Sequence, residues 1–297
     1  MAAPTIPATE ASSPRFETMD AWPSHEILDA LLEGQMAAVA AVRPALPALA
    51  MAADMAADRL RRGGRLAYAG AGTSGRIGVQ DGAELASTFD WPRDRLVTFL
   101  AGGTAALTDA VEDAEDRDDV ARNEVAAAGL GAMDVLVAVA ASGATPYTLA
   151  CLTAARSASA LTIGIASSPG APLLAAAEHP VLIETGPEPI AGSTRMKAGT
   201  AQKVALNLFS TLLMTRLGRV YGGQMVDMVA RNAKLRTRAV RMLQGLTGCT
   251  GADAAAALAE AGGSVKLAML VLRGMTSDQA RALLQRHGSN LRSALDE

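Results

Sequence analysis

Two glycine- and hydroxyl-rich segments carry the clearest chemistry in this chain. Gly70-Ala71-Gly72-Thr73-Ser74-Gly75-Arg76 and Ala141-Ser142-Gly143-Ala144-Thr145-Pro146 each follow a short apolar run and lead into a helix-forming stretch. At such a junction the first amides of the helix lack partners and the helix dipole is positive, so an anion is stabilised there. Gly72, Thr73, Ser74 and Gly75 in the first loop, and Ser142, Gly143 and Thr145 in the second, are the candidate donors. Pro146 suits the first helical position, which needs no N–H. Taken singly, either loop is as well explained as a strand-to-helix turn that uses glycine for its backbone angles. Two of them on one sheet favour a phosphate.

The first loop also fits a loose GxGxxG pattern, but Asp90-Trp91-Pro92 precedes the next strand instead of placing an acid at its end, which disfavours a dinucleotide. No Gly-Lys-Ser/Thr follows either loop, so a P-loop is excluded. Two carboxylates lie beyond such loops. Glu84 stands alone among Ala83, Leu85 and Ala86, a pattern of a helix end or of acid-base work. Glu115 lies in the acidic run from Glu112 to Asp119, which by spacing alone is a solvated helix face. A third block, Gly192 to Lys203, offers Ser193, Arg195 and Lys197 at the start of a long helix. It reads as site-lining, with an N-capped helix bearing surface charges as the alternative. Cys151, Cys249, His25, His179 and His287 are scattered singly, so no metal and no cofactor are expected.

The elements that must position these residues follow from periodicity. Leu66–Ala69, Leu96–Leu100, Val135–Ala140, Leu161–Ala166 and Val181–Glu184 are short apolar runs of buried-strand type. Helical stretches, including Thr104–Ala128 and Pro146–Ser157, separate them. This alternation predicts an α/β fold, a three-layer α-β-α sandwich around a five-stranded parallel sheet. Residues 1–15 read as a loose arm, and Ser24 to Arg62 as an N-terminal helical segment interrupted by Pro44 and Pro47. From about Met196 the pattern is helical, with a long segment over Ala198–Leu217 and a small C-terminal three-helix unit. Thr250-Gly-Ala-Asp253 and Thr276-Ser-Asp-Gln279 are capping boxes for that unit. The expected division is residues 1–52, 53–220 and 221–297.

Composition limits the partners. Of 297 residues, 50% are hydrophobic and 19% charged, the balance of a folded chain. Twenty-seven basic against thirty acidic side chains give a net charge of −3, and residues 1–50 contain only Arg15 and Arg43 as basic groups, so no nucleic acid is expected as a partner. No uninterrupted apolar run approaches about eighteen residues, and the first fourteen residues lack the charged and apolar regions of an export signal. Neither membrane insertion nor secretion is expected, and a cytoplasmic setting fits two isolated cysteines.

Together, GAGTSGR, AGG at Ala101–Gly103, AVEDAED at Ala110–Asp116, AASGATPY at Ala141–Tyr147 and GSTRMKAGTAQK at Gly192–Lys203 resemble the N-acetylmuramic acid 6-phosphate etherases. These are bacterial enzymes built on a sugar isomerase (SIS) domain. TGC at Thr247–Cys249 and RHG at Arg286–Gly288 extend the likeness over nearly the whole chain. The resemblance implies loss of the lactyl group by elimination and then hydration, in cell-wall sugar recycling. It implies a sugar phosphate and water as the reacting partners, a homodimer, Glu84 as proton donor and Glu115 as the other catalytic glutamate, which we assign as the base at C2. The run Ala83-Glu84-Leu85-Ala86-Ser87 departs from the family's Ser-Glu-Cys-Pro-Pro while keeping the glutamate. A regulatory protein that senses sugar phosphates, an aldose-ketose isomerase and a DNA-binding regulator with an SIS sensor are the competing readings. The single copy and the two glutamates favour the enzyme over the first, D-lactate release separates it from the second, and the sparse basic residues at the amino terminus disfavour the third.

Overall fold

The structure is a computed structural model that describes residues 8–230 and 232–297. Its centre is a parallel sheet of β1 (Leu66–Gly70), β2 (Leu96–Leu100), β3 (Val135–Val139), β4 (Leu161–Ala166) and β5 (His179–Leu182), in the order β2-β1-β3-β4-β5. Leu66 pairs with both Leu96 and Val135, so the strand ends are level across the middle of the sheet. Every residue of β1, β3 and β4 is buried. That explains their unbroken apolar sequences, because a parallel sheet covered on both faces leaves no solvent side to signal by alternation.

Side chains of successive strand residues still divide between two layers. Ala67, Ala69, Leu136 and Ala138 share one core with Tyr147, Cys151, Leu152 and Ala155 of α5 (Pro146–Ser157) and with Ala121 and Val125 of α4 (Asp118–Ala128). On the opposite face, Tyr68 lies against α3 (Gly72–Phe89), where a Cβ on Gly78 would come 3.3 Å from that of Tyr68. The Tyr68 hydroxyl donates to Asp81 at 2.7 Å, and Ser210 of α7 (Lys197–Arg216) donates to the other oxygen at 3.1 Å. This buried carboxylate therefore ties α3 and α7 to β1.

The prolines act as expected near the amino terminus. α1 (Ser24–Ala41) and α2 (Leu46–Arg61) are separated by a 3-10 turn over Arg43–Ala45. By length and composition the stretch Ser24–Arg61 could cross a membrane. In the fold it is broken at that turn, and α2 buries Leu49, Ala52, Ala53, Ala56, Ala57 and Leu60 and packs against β3, β4 and β5. The outer side of α1 keeps Leu28, Leu32, Met36 and Val39 exposed.

Two compact units are present. One holds the residues up to Ala83 and from Asp94 to Ser210, the other Glu84–Arg93 and Thr211–Glu297. The second is helical, with α8 (Ala233–Thr247), α9 (Gly251–Glu260), α10 (Val265–Val271), α11 (Ser277–Arg286) and α12 (Leu291–Leu295) around one core. Thr276 and Gln279 form the expected reciprocal capping box, and Thr250 accepts from the Asp253 amide. Asn232 and Asn290 cap α8 and α12, each accepting a backbone N–H, and among the described residues the unit has five helices where three were expected. Within this unit Lys266, only 3% exposed, donates to Asp227 at 2.8 Å and to the Ser289 carbonyl at 2.7 Å. Arg219 reaches the second Asp227 oxygen at 3.2 Å and lies 5.1 Å from the centre of the Trp91 ring.

Candidate active site

From β1 the chain passes outward to β2 and then returns to the other side of β1 to form β3. The strand order reverses between β1 and β3, and open parallel sheets bind ligands beyond the carboxyl ends of the strands at such a point. The two loops singled out from sequence are those that leave β1 and β3.

Their close packing depends on glycine. A Cβ on Gly75 would lie 2.6 Å from the Gly70 carbonyl oxygen and 2.5 Å from Leu100 Cδ1, so the first turn of α3 folds directly onto the end of β1. Gly143 has φ of +66°, and a Cβ there would meet that of Ala171, just before α6 (Pro172–Ala176), at 2.5 Å. Both conditions exclude a side chain. The loops thereby present their amides together, and the hydroxyls are held. Ser142 accepts from the Ala144 N–H at 3.2 Å, which leaves its own proton available, and buried Ser74 donates to Gln202 at 2.9 Å.

A cavity of about 350 Å³ opens between these loops. Gly72, Thr73, Ser74, Ser142, Thr145 and Glu115 line it together, so the structure brings six of the expected site residues to one place. A neighbouring recess of about 260 Å³ shares Ala71, Gly72 and Glu115 with it. Arg76 fixes the wall of that recess by donating to the carbonyls of Ala106 at 2.7 Å and Asp109 at 2.9 Å.

The helix expected over Thr104–Ala128 is not continuous. Gly102 and Gly103 have φ of +83° and +64°, and Asp113 has φ of +57°. The two glycines start a 3-10 turn at Gly103–Leu107, and Asp113 starts a second at Ala114–Asp116, before α4 begins. Glu115 therefore sits in a tight turn aimed at the cavity instead of on a helix face. Asp can adopt the left-handed conformation more readily than most residues, so the acidic run is also a backbone device.

The remaining expected residues lie elsewhere. Gly75 and Gly143 shape the loops from behind. Ser193, Arg195 and Lys197 do not line the cavity. Lys197 points its ammonium at the Pro187 carbonyl, 3.0 Å away. The start of α7 is already occupied: fully buried Glu188 accepts the N–H groups of Lys197 and Ala198, each at 2.9 Å. A carboxylate nine residues upstream of the helix thus fills the place that an anionic ligand would take. Glu84 is exposed on α3, within the segment that belongs to the helical unit, and lines neither recess. Two residues not singled out from sequence do line the cavity, Glu10 and Thr194. Thr194 lay inside the GSTRMKAGTAQK block, whereas nothing in the spacing around Glu10 linked the amino-terminal arm to the loops.

This topology, with its paired anion loops, is that of the SIS class. Residues 48–156 match the model of the glucokinase regulatory protein N-terminal SIS domain. A phosphoheptose isomerase from Francisella tularensis has the same fold, with a TM-score of 0.51 and 19% identity, covering 65% of this chain and 100% of that one. Over 290 residues the chain is 50% identical to the N-acetylmuramic acid 6-phosphate etherase of Deinococcus radiodurans, covering 97% of this chain and 95% of the relative. It is 45% identical to the etherase of the same name from Streptomyces avermitilis, covering 97% and 93%. The chain belongs to the N-acetylmuramic acid 6-phosphate etherase family.

Proposed function

We propose that this chain breaks the D-lactyl ether of N-acetylmuramic acid 6-phosphate by elimination and hydration, giving N-acetylglucosamine 6-phosphate and D-lactate in cell-wall sugar recycling. The observation that carries this reading is the shared cavity, in which Glu115 stands beside both anion loops at the switch point of the sheet. The phosphate takes the amides and hydroxyls of the two loops. Opening of the sugar ring exposes an aldehyde at C1, which acidifies the hydrogen on C2. Glu115 removes that proton, the electron pair forms the C2–C3 double bond, and the C3–oxygen bond breaks as lactate departs with a proton from an acid. Water then adds its oxygen at C3, and a proton returns to C2.

By family resemblance the acid is Glu84, exposed on α3. The resemblance also implies a homodimer whose site takes residues from both copies. A homodimer is further supported by the stripe of Leu28, Leu32, Met36 and Val39, four large apolar side chains 49–67% exposed along one side of α1. A cytoplasmic location suits a phosphorylated substrate and two free thiols, Cys151 and Cys249.

The test is to supply N-acetylmuramic acid 6-phosphate in ¹⁸O-labelled water. Release of D-lactate with label at C3 of the product is expected, whereas label confined to lactate would reject elimination. Glu115→Gln should lower kcat by about 10²–10⁴ with little change in KM, the range for a lost general base. Unchanged turnover would remove Glu115 from the mechanism.

A further inference from the structure

We infer that Glu10 is a specificity-determining residue of this site, its carboxylate receiving hydrogen bonds from the sugar body and turning the anionic ends of the substrate toward the two loops. The inference rests on the sugar-phosphate reading above. It begins from the composition of the cavity wall. Three of the contributing segments, the loops after β1 and β3 and the residues Gly192 and Thr194, offer amides and hydroxyls. Only Glu115 and Glu10 bring charge to it among the described lining residues.

The amino-terminal arm is anchored where Glu10 enters. Thr9 is fully buried, and its carbonyl accepts the Gly192 N–H at 3.3 Å. Gly192 has φ of +75°, and a Cβ on it would lie 2.8 Å from Glu10 Oε2. The carboxylate thus rests against a bare stretch of backbone that leaves it room. Its neighbour Thr9 is tucked inside while Glu10 itself is exposed toward the cavity.

An ionised carboxylate accepts hydrogen bonds and donates none. The substrate has two groups it repels, the phosphate and the lactyl carboxylate, and two kinds of donor it attracts, the sugar hydroxyls and the acetamido N–H. Glu10 therefore favours the sugar body at the Gly192 side and leaves the phosphate to the amides of the β1 and β3 loops. This divides labour between the two carboxylates: Glu115 handles the proton on C2, and Glu10 sets which way the sugar lies.

The experiment is calorimetric binding of N-acetylglucosamine 6-phosphate and, separately, inorganic phosphate to wild type, Glu10→Ala and Glu10→Gln. Glu10→Ala should weaken sugar-phosphate binding by about 10- to 100-fold, the worth of hydrogen bonds to a charged group. Phosphate affinity should hold or rise, since a repelling charge is gone. Glu10→Gln, which keeps an acceptor oxygen, should fall between. Sugar-phosphate affinity unchanged in both variants, or a parallel loss for both ligands, overturns the inference, as does wild type that fails to bind the sugar phosphate. Lactate release by wild type is assayed independently. Its absence would reject ether cleavage while the binding comparison still decides the role of Glu10.

Discussion

Replacing Asp227 by Asn should destabilise the helical unit strongly, because one carboxylate neutralises two poorly solvated cations. Lys266 is 3% exposed and Arg219 has a side chain 17% exposed, and Asp227 is the ion-pair partner of both, at 2.8 and 3.2 Å. Arg219 retains the carbonyls of Phe89 at 2.6 Å and Asp90 at 3.0 Å, and Lys266 keeps that of Ser289, but none of these carries charge. Breaking a buried ion pair from one side costs about 3–5 kcal/mol. The Asp227 side chain is 22% exposed, so the lower end applies, about 3 kcal/mol. For a chain of this size that lowers Tm by about 6–12 °C. The assay is a thermal melt followed by tryptophan fluorescence, in which Trp91 reports on the Arg219 contact, with calorimetry alongside. Burial lowers the pKa of Lys266, and Asp227 opposes that shift. The unfolded chain therefore binds more protons between the folded value and 10.5, and the Lys266 contribution to unfolding free energy rises with pH there. The Tm deficit of Asp227→Asn should accordingly shrink as pH approaches 10. A combined Asp227→Leu, Lys266→Met variant should recover the Lys266 part of the loss, since an apolar pair can replace a buried ion pair with little penalty, while Arg219 stays without its counter-ion. A Tm within 1 °C of wild type for Asp227→Asn, or a double variant no better than the single one, would refute this account.

Other outcomes follow from the first unit. Burial would raise the Asp134 pKa, but the hydrogen bond from the Arg65 side chain and those from the Arg65 and Gly131 amides outweigh it and hold it below 3.8. Its stabilisation is complete above 3.8 and is lost as pH falls through the lower folded value, so Asp134→Asn should flatten the acid limb of the stability curve, measured by urea melts from pH 5 to 2. Gly75→Ala should cost about 1–3 kcal/mol through overpacking against Gly70 and Leu100, and should weaken phosphate binding along with the drop in Tm. Ser142→Ala removes the acceptor of the Ala144 N–H and a cavity donor, and kcat/KM should fall about 10-fold or more while Tm moves by only a few degrees.

Much of the architecture was legible because local signals and burial agree. Val135–Ala140 reads as a strand because every side chain there is enclosed, and α5 begins at Pro146 and ends at Ser157 as its sequence suggested. The anion loops were legible for the same reason, their glycines marking places where backbone must meet backbone. The setting of Glu115 was not, since its acidic run has helical composition and only the left-handed Asp113 divides it. The start of α7 misled in the opposite direction. Its donors are satisfied by Glu188, a contact across a loop that no periodicity encodes. Glu10 reaches the cavity through the Thr9–Gly192 backbone contact, between residues far apart in the chain, and pairing over such a distance leaves no local trace.

The cavity draws on positions 10, 71–74, 115, 139–142, 145, 192 and 194. A growing polypeptide that stops short of Thr194 has strands and helices but no complete pocket. Formation of the pocket thus waits until every strand of the sheet has been made, when the stretch around Gly192 is laid against the arm at Thr9 and Glu10.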